Sequence, residues 1–186
     1  IEAWRAGPDA LKLLGRLPGG GDLNLNPSVA AQPDGSMFIA WESCPKWGWD
    51  ERVELHRDLH LVHLEPESER FLPGPGTADG RLPLEYTGFV DRTPYNAVAT
   101  RPKVFLLGEA PAVAFKRFRP VGHKGFGWDV LFTRRTESAW TPPARLTPRA
   151  GDPEADYALF ARDRREEGVV RFGVSCAGRS PPGRRP

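Results

Sequence analysis

The tripeptide Gly-Trp-Asp occurs twice in this chain, and the residues before each copy follow the same order. Both copies are preceded by Pro-x-Val, at Pro27 and at Pro102. The offset is 75 positions at the prolines (27 to 102) and 79 at the tripeptides (48 to 127). Such self-similarity predicts a repeat architecture. The matched pairs are Ala40–Trp41 with Ala114–Phe115, and Trp49–Asp50 with Trp128–Asp129.

The repeat extends to both ends of the chain as half units. The N-terminal "IEAWRAGPDALKLLGRLP" aligns with "VLFTRRTESAWTPPARLTP", which follows the second tripeptide. The C-terminal "DYALFARDRREEGVVRFGVSC" aligns with the first half of a unit. The chain is therefore interpreted as half a unit, two units and half a unit.

Each unit is predicted to contain four short β-strands. Apolar and small residues alternate or form short runs in "SMFIAW" and "AVAF", and "PDGS" at 33–36 is a hairpin turn signal. The 20 glycines and 20 prolines suit a turn-rich β protein. The segment "PEADYALFARDRREE" also fits a helix, but the repeat favours a strand there.

A repeated unit of four short β-strands predicts a β-propeller blade. The predicted segments are outer strands of a preceding blade (1–22), a blade (23–72), an insertion or connector (73–99), a blade (100–148), inner strands of a further blade (152–178) and a disordered tail (179–186).

The pattern "NPSVAAQPDGSMFIAWES…GWD…LHLVHLE" resembles the blades of sialidase-like (BNR, or Asp-box-type) propellers and their non-catalytic bacterial relatives. The resemblance covers residues 1–72 and 96–178, and the full Asp-box signature is absent. It implies an all-β, partial β-propeller of about three blade equivalents, whereas propellers have about four to eight blades. Three explanations stay open: a fragment of a larger propeller, which Ile1 in place of Met favours, self-association, or unrecognised strands within 73–99.

Binding residues are expected in the loops between the second and third strands of each unit, because these loops share one face of a propeller. The loop "ESCPKWG" offers Glu42, Lys46 and Trp47, and "KRFRPVGHKGFG" is long and basic. Cationic and aromatic groups together suit an anionic sugar, a carboxylate or a phosphate. A solvated basic loop is the alternative. The candidates in the second loop are Lys116, Arg117, Arg119, His123 and Lys124.

Catalytic and metal sites are not predicted. Sialidase-like catalysis, as the resemblance implies it, needs three arginines, a tyrosine nucleophile with a glutamate base, and an aspartic acid, and no residue here is carried over to those roles. His56, His60 and His63 would share a face only in a helix, whereas in a strand His60 and His63 point to opposite faces. No cofactor is predicted.

Composition restricts the classes of partner. With 26 basic and 24 acidic residues, the net charge of +2 does not indicate a nucleic-acid binder, and no apolar run is long enough to span a membrane. The leading hypothesis is a non-catalytic propeller module that binds a carbohydrate or protein partner. The alternative is a fragment of a sialidase-like glycoside hydrolase. The resemblance favours a periplasmic or extracellular location.

Overall fold

The computed structural model describes residues 1–17, 23–44, 57–77, 79–84, 99–120, 126–146, 157–164 and 169–176. Across these ranges the chain is all-β and contains no helix, which confirms the predicted all-β class with four-stranded antiparallel sheets. The strands are β1 (Glu2–Ala6), β2 (Leu11–Arg16), β3 (Leu23–Ala31), β4 (Met37–Cys44), β5 (Asp58–Leu64), β6 (Phe71–Pro73), β7 (Ala99–Leu107), β8 (Ala110–Pro120), β9 (Phe126–Arg134), β10 (Ala144–Arg145), β11 (Tyr157–Arg164) and β12 (Val169–Cys176).

Two complete sheets contain four antiparallel strands each, with every strand next to its neighbour in sequence. We call β3-β4-β5-β6 the first sheet and β7-β8-β9-β10 the second sheet. Two further strand pairs, β1-β2 and β11-β12, are antiparallel hairpins. The segment that also fits a helix forms β11, so the prediction of a strand there is confirmed.

The predicted hairpin turn at 33–36 joins β3 to β4. The N–H of Gly35 donates to the carbonyl of Gln32 at 3.0 Å, and Gly35 has φ of 86°. The backbone N–H and the hydroxyl of Ser36 both donate to the carboxylate of Asp34, which lowers the pKa of that carboxyl. The Asp-Gly pair thus does the two things this turn needs: a local acceptor and a residue that tolerates positive φ.

The main core lies between the two complete sheets. Alternate residues of β4 and β8 point into it, with Ala40, Val113 and Phe115 all fully buried. This follows from the period-two alternation of side chains along a strand. Burying a side chain of the size of Phe115 stabilises the folded state by about 1.5–3 kcal/mol.

The hairpin β1-β2 covers the other face of the first sheet. Ile39, Trp41 and Val62 form a second cluster, against which Ile1 and Leu17 pack. Glu69, in the turn between β5 and β6, accepts hydrogen bonds from two side chains of the hairpin, Arg5 (2.8 Å) and Lys12 (2.7 Å). These are surface ion pairs, so packing contributes more to this contact than charge does.

Part of the predicted connector 73–99 belongs to the first sheet. Residues 79–84 run beside β5, where the N–H of Leu61 donates to the carbonyl of Gly80 and the N–H of Leu82 to that of Leu59. Leu82 is buried in the main core. This stretch therefore continues the outer edge of the sheet beyond β6.

Candidate functional site

The site is at the edge of the two complete sheets where the long connections leave. β4 ends at Cys44 and β8 at Pro120, while β5 and β9 begin at the same edge because the strands are antiparallel. We call this the loop edge, and the opposite edge, with the short turns 32–36, 65–70 and 108–109, the turn edge. The end of β4 and the end of β8 therefore lie at the same edge of the two sheets.

Glu42 lies near the loop edge at the boundary between the two sheets. Its side chain is buried, and its carboxylate accepts four hydrogen bonds. One oxygen accepts from Asn26 Nδ2 at 3.0 Å and from Arg57 Nη1 at 3.2 Å. The other accepts from the backbone N–H of Arg101 at 2.7 Å and from the hydroxyl of Thr100. Glu42 thus joins the first sheet to β7, the first strand of the second sheet.

Two matching bulges contain two of the four donors to Glu42, Asn26 and Arg101. The register of β3 with β4 shifts between Leu25 and Ser28, and that of β7 with β8 shifts between Thr100 and Lys103. Inside the bulges, Asn26 and Arg101 both have φ of 52°, and each precedes a proline. Proline cannot donate to the ladder, so it is tolerated at such interruptions. At the second bulge the N–H of Arg101 is directed to the carboxylate.

Three guanidinium groups lie at or beside the loop edge and reach solvent. The side chain of Arg57 is 30% exposed while it pairs with Glu42, and that of Arg81 is 55% exposed while it pairs with Asp58. Arg101 is exposed at its bulge. Guanidinium presents several N–H donors in a planar fork that matches a carboxylate or a phosphate, so an anionic group can bind here in addition to the protein carboxylates.

Three of the basic residues predicted for the second loop, Lys116, Arg117 and Arg119, lie in β8. Lys116 is buried, and its Nζ lies 5.1 Å from the centre of the Trp128 ring, in a cation–π contact. Arg117 is directly opposite Asp129 in the ladder. The strand is longer than predicted because β9 pairs with it up to Pro120. The prediction that Lys116 and Arg117 are loop residues is therefore wrong.

Glu42 is also in a strand, β4, and not in the predicted loop. Arg119 belongs to β8, while the remaining predicted residues lie outside the described ranges: Lys46, Trp47, Trp49, Asp50, His123 and Lys124. Sequence reasoning missed Arg57, Arg81 and Arg101. The match of Asn26-Pro27 with Arg101-Pro102 could have indicated Arg101, but no local pattern marks the other two.

The two described histidines of β5 point to opposite faces, as predicted. His60 stacks on Trp41 at 5.2 Å between ring centres, on the side of β1-β2. His63 stacks on Phe38 at 4.7 Å, on the side of the main core. Burial lowers the pKa of His60, with the nearby Asp79 acting in the opposite direction. The two rings cannot bind the same metal ion.

A cavity of 340 Å³ lies away from the loop edge. Its walls include Pro83, Arg135 and Trp140. The indole N–H of Trp140 donates to the carbonyl of Pro75 at 3.0 Å, which connects the β9–β10 turn to the first sheet. The cavity contains none of the residues predicted to bind a ligand.

Comparison with models of protein families, with curated proteins and with solved structures finds no match for this chain. Function must therefore be argued from the residues themselves. In the part of the chain that the structure describes, no helix has the length and apolar character needed to cross a membrane.

Proposed function

We propose that the sheets are blades of a β-propeller. Three observations support this arrangement. Both complete sheets have the same consecutive strand order. Their first strands, β3 and β7, lie next to each other, as the inner strands of adjacent blades would. Both first strands also carry a bulge at the matching position, with the same positive φ at Asn26 and Arg101.

Within that architecture, we propose a non-catalytic module that binds a carbohydrate or a protein partner through the loop edge. The observation that carries this proposal is that three guanidiniums reach solvent at or beside this edge, those of Arg57, Arg81 and Arg101. Two of them are held in place by Glu42 and Asp58. A binding group held in advance loses less conformational entropy when a ligand arrives. The ligand feature best suited to this edge is an anionic group, such as the carboxylate of an acidic sugar or of an acidic protein segment.

The carboxylates at this edge favour binding over hydrolysis. Glycoside hydrolysis needs carboxyl groups that reach the substrate. Glu42 is only 1% exposed and accepts four hydrogen bonds from the protein, while Asp58 is paired with Arg81. These two groups are committed to holding the arginines, which supports the binding module over the glycoside hydrolase.

The test is a binding experiment on a glycan array that includes acidic sugars, together with acidic peptides. We expect Arg101→Gln to weaken binding at least about tenfold, the size of a lost charged hydrogen bond. This variant keeps the backbone N–H that binds Glu42. Trp47→Ala tests the sequence-predicted aromatic residue in the same assay. The matched control is Arg70→Gln, an exposed arginine at the turn edge.

Binding that Arg101→Gln and Trp47→Ala both leave unchanged would contradict the assignment of the loop edge. Turnover of a fluorogenic sialoside would instead favour the hydrolase alternative. Both measurements need the variants to be folded, which the denaturation midpoint of each variant establishes beforehand.

A further inference from the structure

Among the residues whose side-chain exposure the structure describes, the large exposed apolar ones lie in the first three strands. In β1 and β2, Trp4 is 53% exposed, Leu11 67% and Leu13 47%. Trp4 is opposite Leu13 in the ladder, so the two share a face, while Ala3 packs on the other face against the first sheet. The other face of this hairpin is therefore an exposed apolar surface, and none of the described residues packs over it.

Two equivalent valines show what is missing beside β3. Val29 and Val104 each follow the first paired residue after the bulge of their strand. Val104 is 6% exposed because it is buried between the complete sheets, whereas Val29 is 56% exposed. Val29 is opposite Ile39, on the face that β1-β2 covers only in part. An inner strand pair, placed beside β1, would cover Val29 as the first sheet covers Val104.

The hairpin β1-β2 has the form of the third and fourth strands of a complete sheet. The N–H of Leu17 donates to the carbonyl of Ile1 at 3.0 Å. In the second sheet the N–H of Leu146 donates to the carbonyl of Val130 at 2.8 Å, at the matching positions of the sequence alignment. Among the described strands, β1 pairs with β2 alone.

The same chain contains a strand pair of the complementary kind. The hairpin β11-β12 aligns with the first two strands of a unit, with Ser175–Cys176 at the place of Ser43–Cys44. Within the described residues, β12 pairs with β11 alone. The order β11-β12-β1-β2 would repeat the order of the two complete sheets.

We propose that a second copy of this chain supplies the missing strands. β12 of one copy pairs antiparallel with β1 of the other, and the reverse pair forms at the same time. Each copy then accounts for three sheets, so two copies form a ring of six. This inference rests on the proposed propeller arrangement, whose blade number is about four to eight. A ring of six lies within that range, and its two copies are related by a two-fold axis.

The alignment also predicts the register of the new pair. In the second sheet, Val130 pairs with Lys116. The repeat aligns Lys116 with Glu42, because each follows the matched pair Ala114–Phe115 or Ala40–Trp41. It also aligns Glu42 with Val174, because each lies two residues before the matched Cys44 or Cys176. Ile1 should therefore lie opposite Val174, and Glu2 opposite Gly173. Directly opposite residues of antiparallel strands have Cα atoms about 4.5–5.5 Å apart, within the range of a disulfide.

The first test is the mass in solution by sedimentation equilibrium at micromolar concentration. We expect twice the chain mass of 20.6 kDa. Val29→Lys should raise the dimer dissociation constant at least about 100-fold, because a lysine would be buried at the interface without a partner. Since Val29 is exposed in one copy, this variant should fold normally. The control Glu109→Lys, at the turn edge, should remain a dimer.

The second test is crosslinking in a Cys44→Ser, Cys176→Ser background. Glu2→Cys with Gly173→Cys should form a disulfide between copies on oxidation, whereas Ala6→Cys with Gly173→Cys, about four residues out of register, should not. The inference is overturned if the chain is still a monomer at 100 times the micromolar concentration of the first test. A mass that grows without limit also overturns it, as does a dimer that Val29→Lys leaves intact and that does not crosslink. An unsubstituted chain that forms the dimer but binds no acidic glycan or acidic peptide counts against the proposed function alone.

Discussion

Replacing Glu42 tests the idea that a buried carboxylate joins the two sheets. The side chain is 1% exposed and accepts hydrogen bonds from Asn26, Arg57, Thr100 and the N–H of Arg101. In Glu42→Ala these donors lose their acceptor. A buried donor without a partner costs about 1–3 kcal/mol.

The magnitude depends on which donors water can reach. Thr100 is 6% exposed, and the N–H of Arg101 is partly buried beside it, so both are counted in full. Arg57 is 30% exposed, so water compensates much of its loss. We therefore expect Glu42→Ala to lower the free energy of unfolding by about 2–6 kcal/mol, the sum for two buried donors at about 1–3 kcal/mol each.

The assay is urea denaturation followed by tryptophan fluorescence. Glu42→Gln keeps the volume and one acceptor oxygen, so its loss should be about 1–3 kcal/mol. Thr100→Val removes a single donor and serves where the alanine variant does not fold. The control Glu109→Ala, exposed at the turn edge, should change stability by no more than about 0.5 kcal/mol. A loss below about 1 kcal/mol for Glu42→Ala would refute the reasoning.

Two further substitutions test the packing around β5. At Gly74, an added Cβ would lie 2.8 Å from the carbonyl oxygen of Leu61. Gly74→Ala should therefore lower the free energy of unfolding by about 1–3 kcal/mol. An unchanged denaturation midpoint would contradict this close approach. Burial lowers the pKa of His60, so the unfolded chain takes up a proton below about pH 6.5 that the folded chain does not. Stability should therefore fall as the pH drops below that value, and His60→Gln should reduce the slope, which is at most about 1.4 kcal/mol per pH unit for one proton. Equal slopes for the two proteins would show that His60 is not the group involved.

Much of the local structure could be predicted from the sequence. The strands follow from alternation and from the repeated order around Pro27 and Pro102, and the 33–36 turn follows from its Asp-Gly pair. The segment around Tyr157–Arg164 was ambiguous as an isolated pattern, and its place in the repeat identified it as a strand. These features depend on residues that are close in the sequence, so they can be recognised from the sequence alone.

The site depended on the tertiary structure. Glu42 meets Thr100 and Arg101 only because the second sheet stacks on the first, and alternation shows which face of a strand is apolar but not which surface will cover it. Lys116 belongs to a strand because β9 extends the ladder beyond the predicted loop boundary. The difference in exposure between Val29 and Val104 has the same origin. The two valines have equivalent positions in the repeat, but the first sheet packs only against Val104.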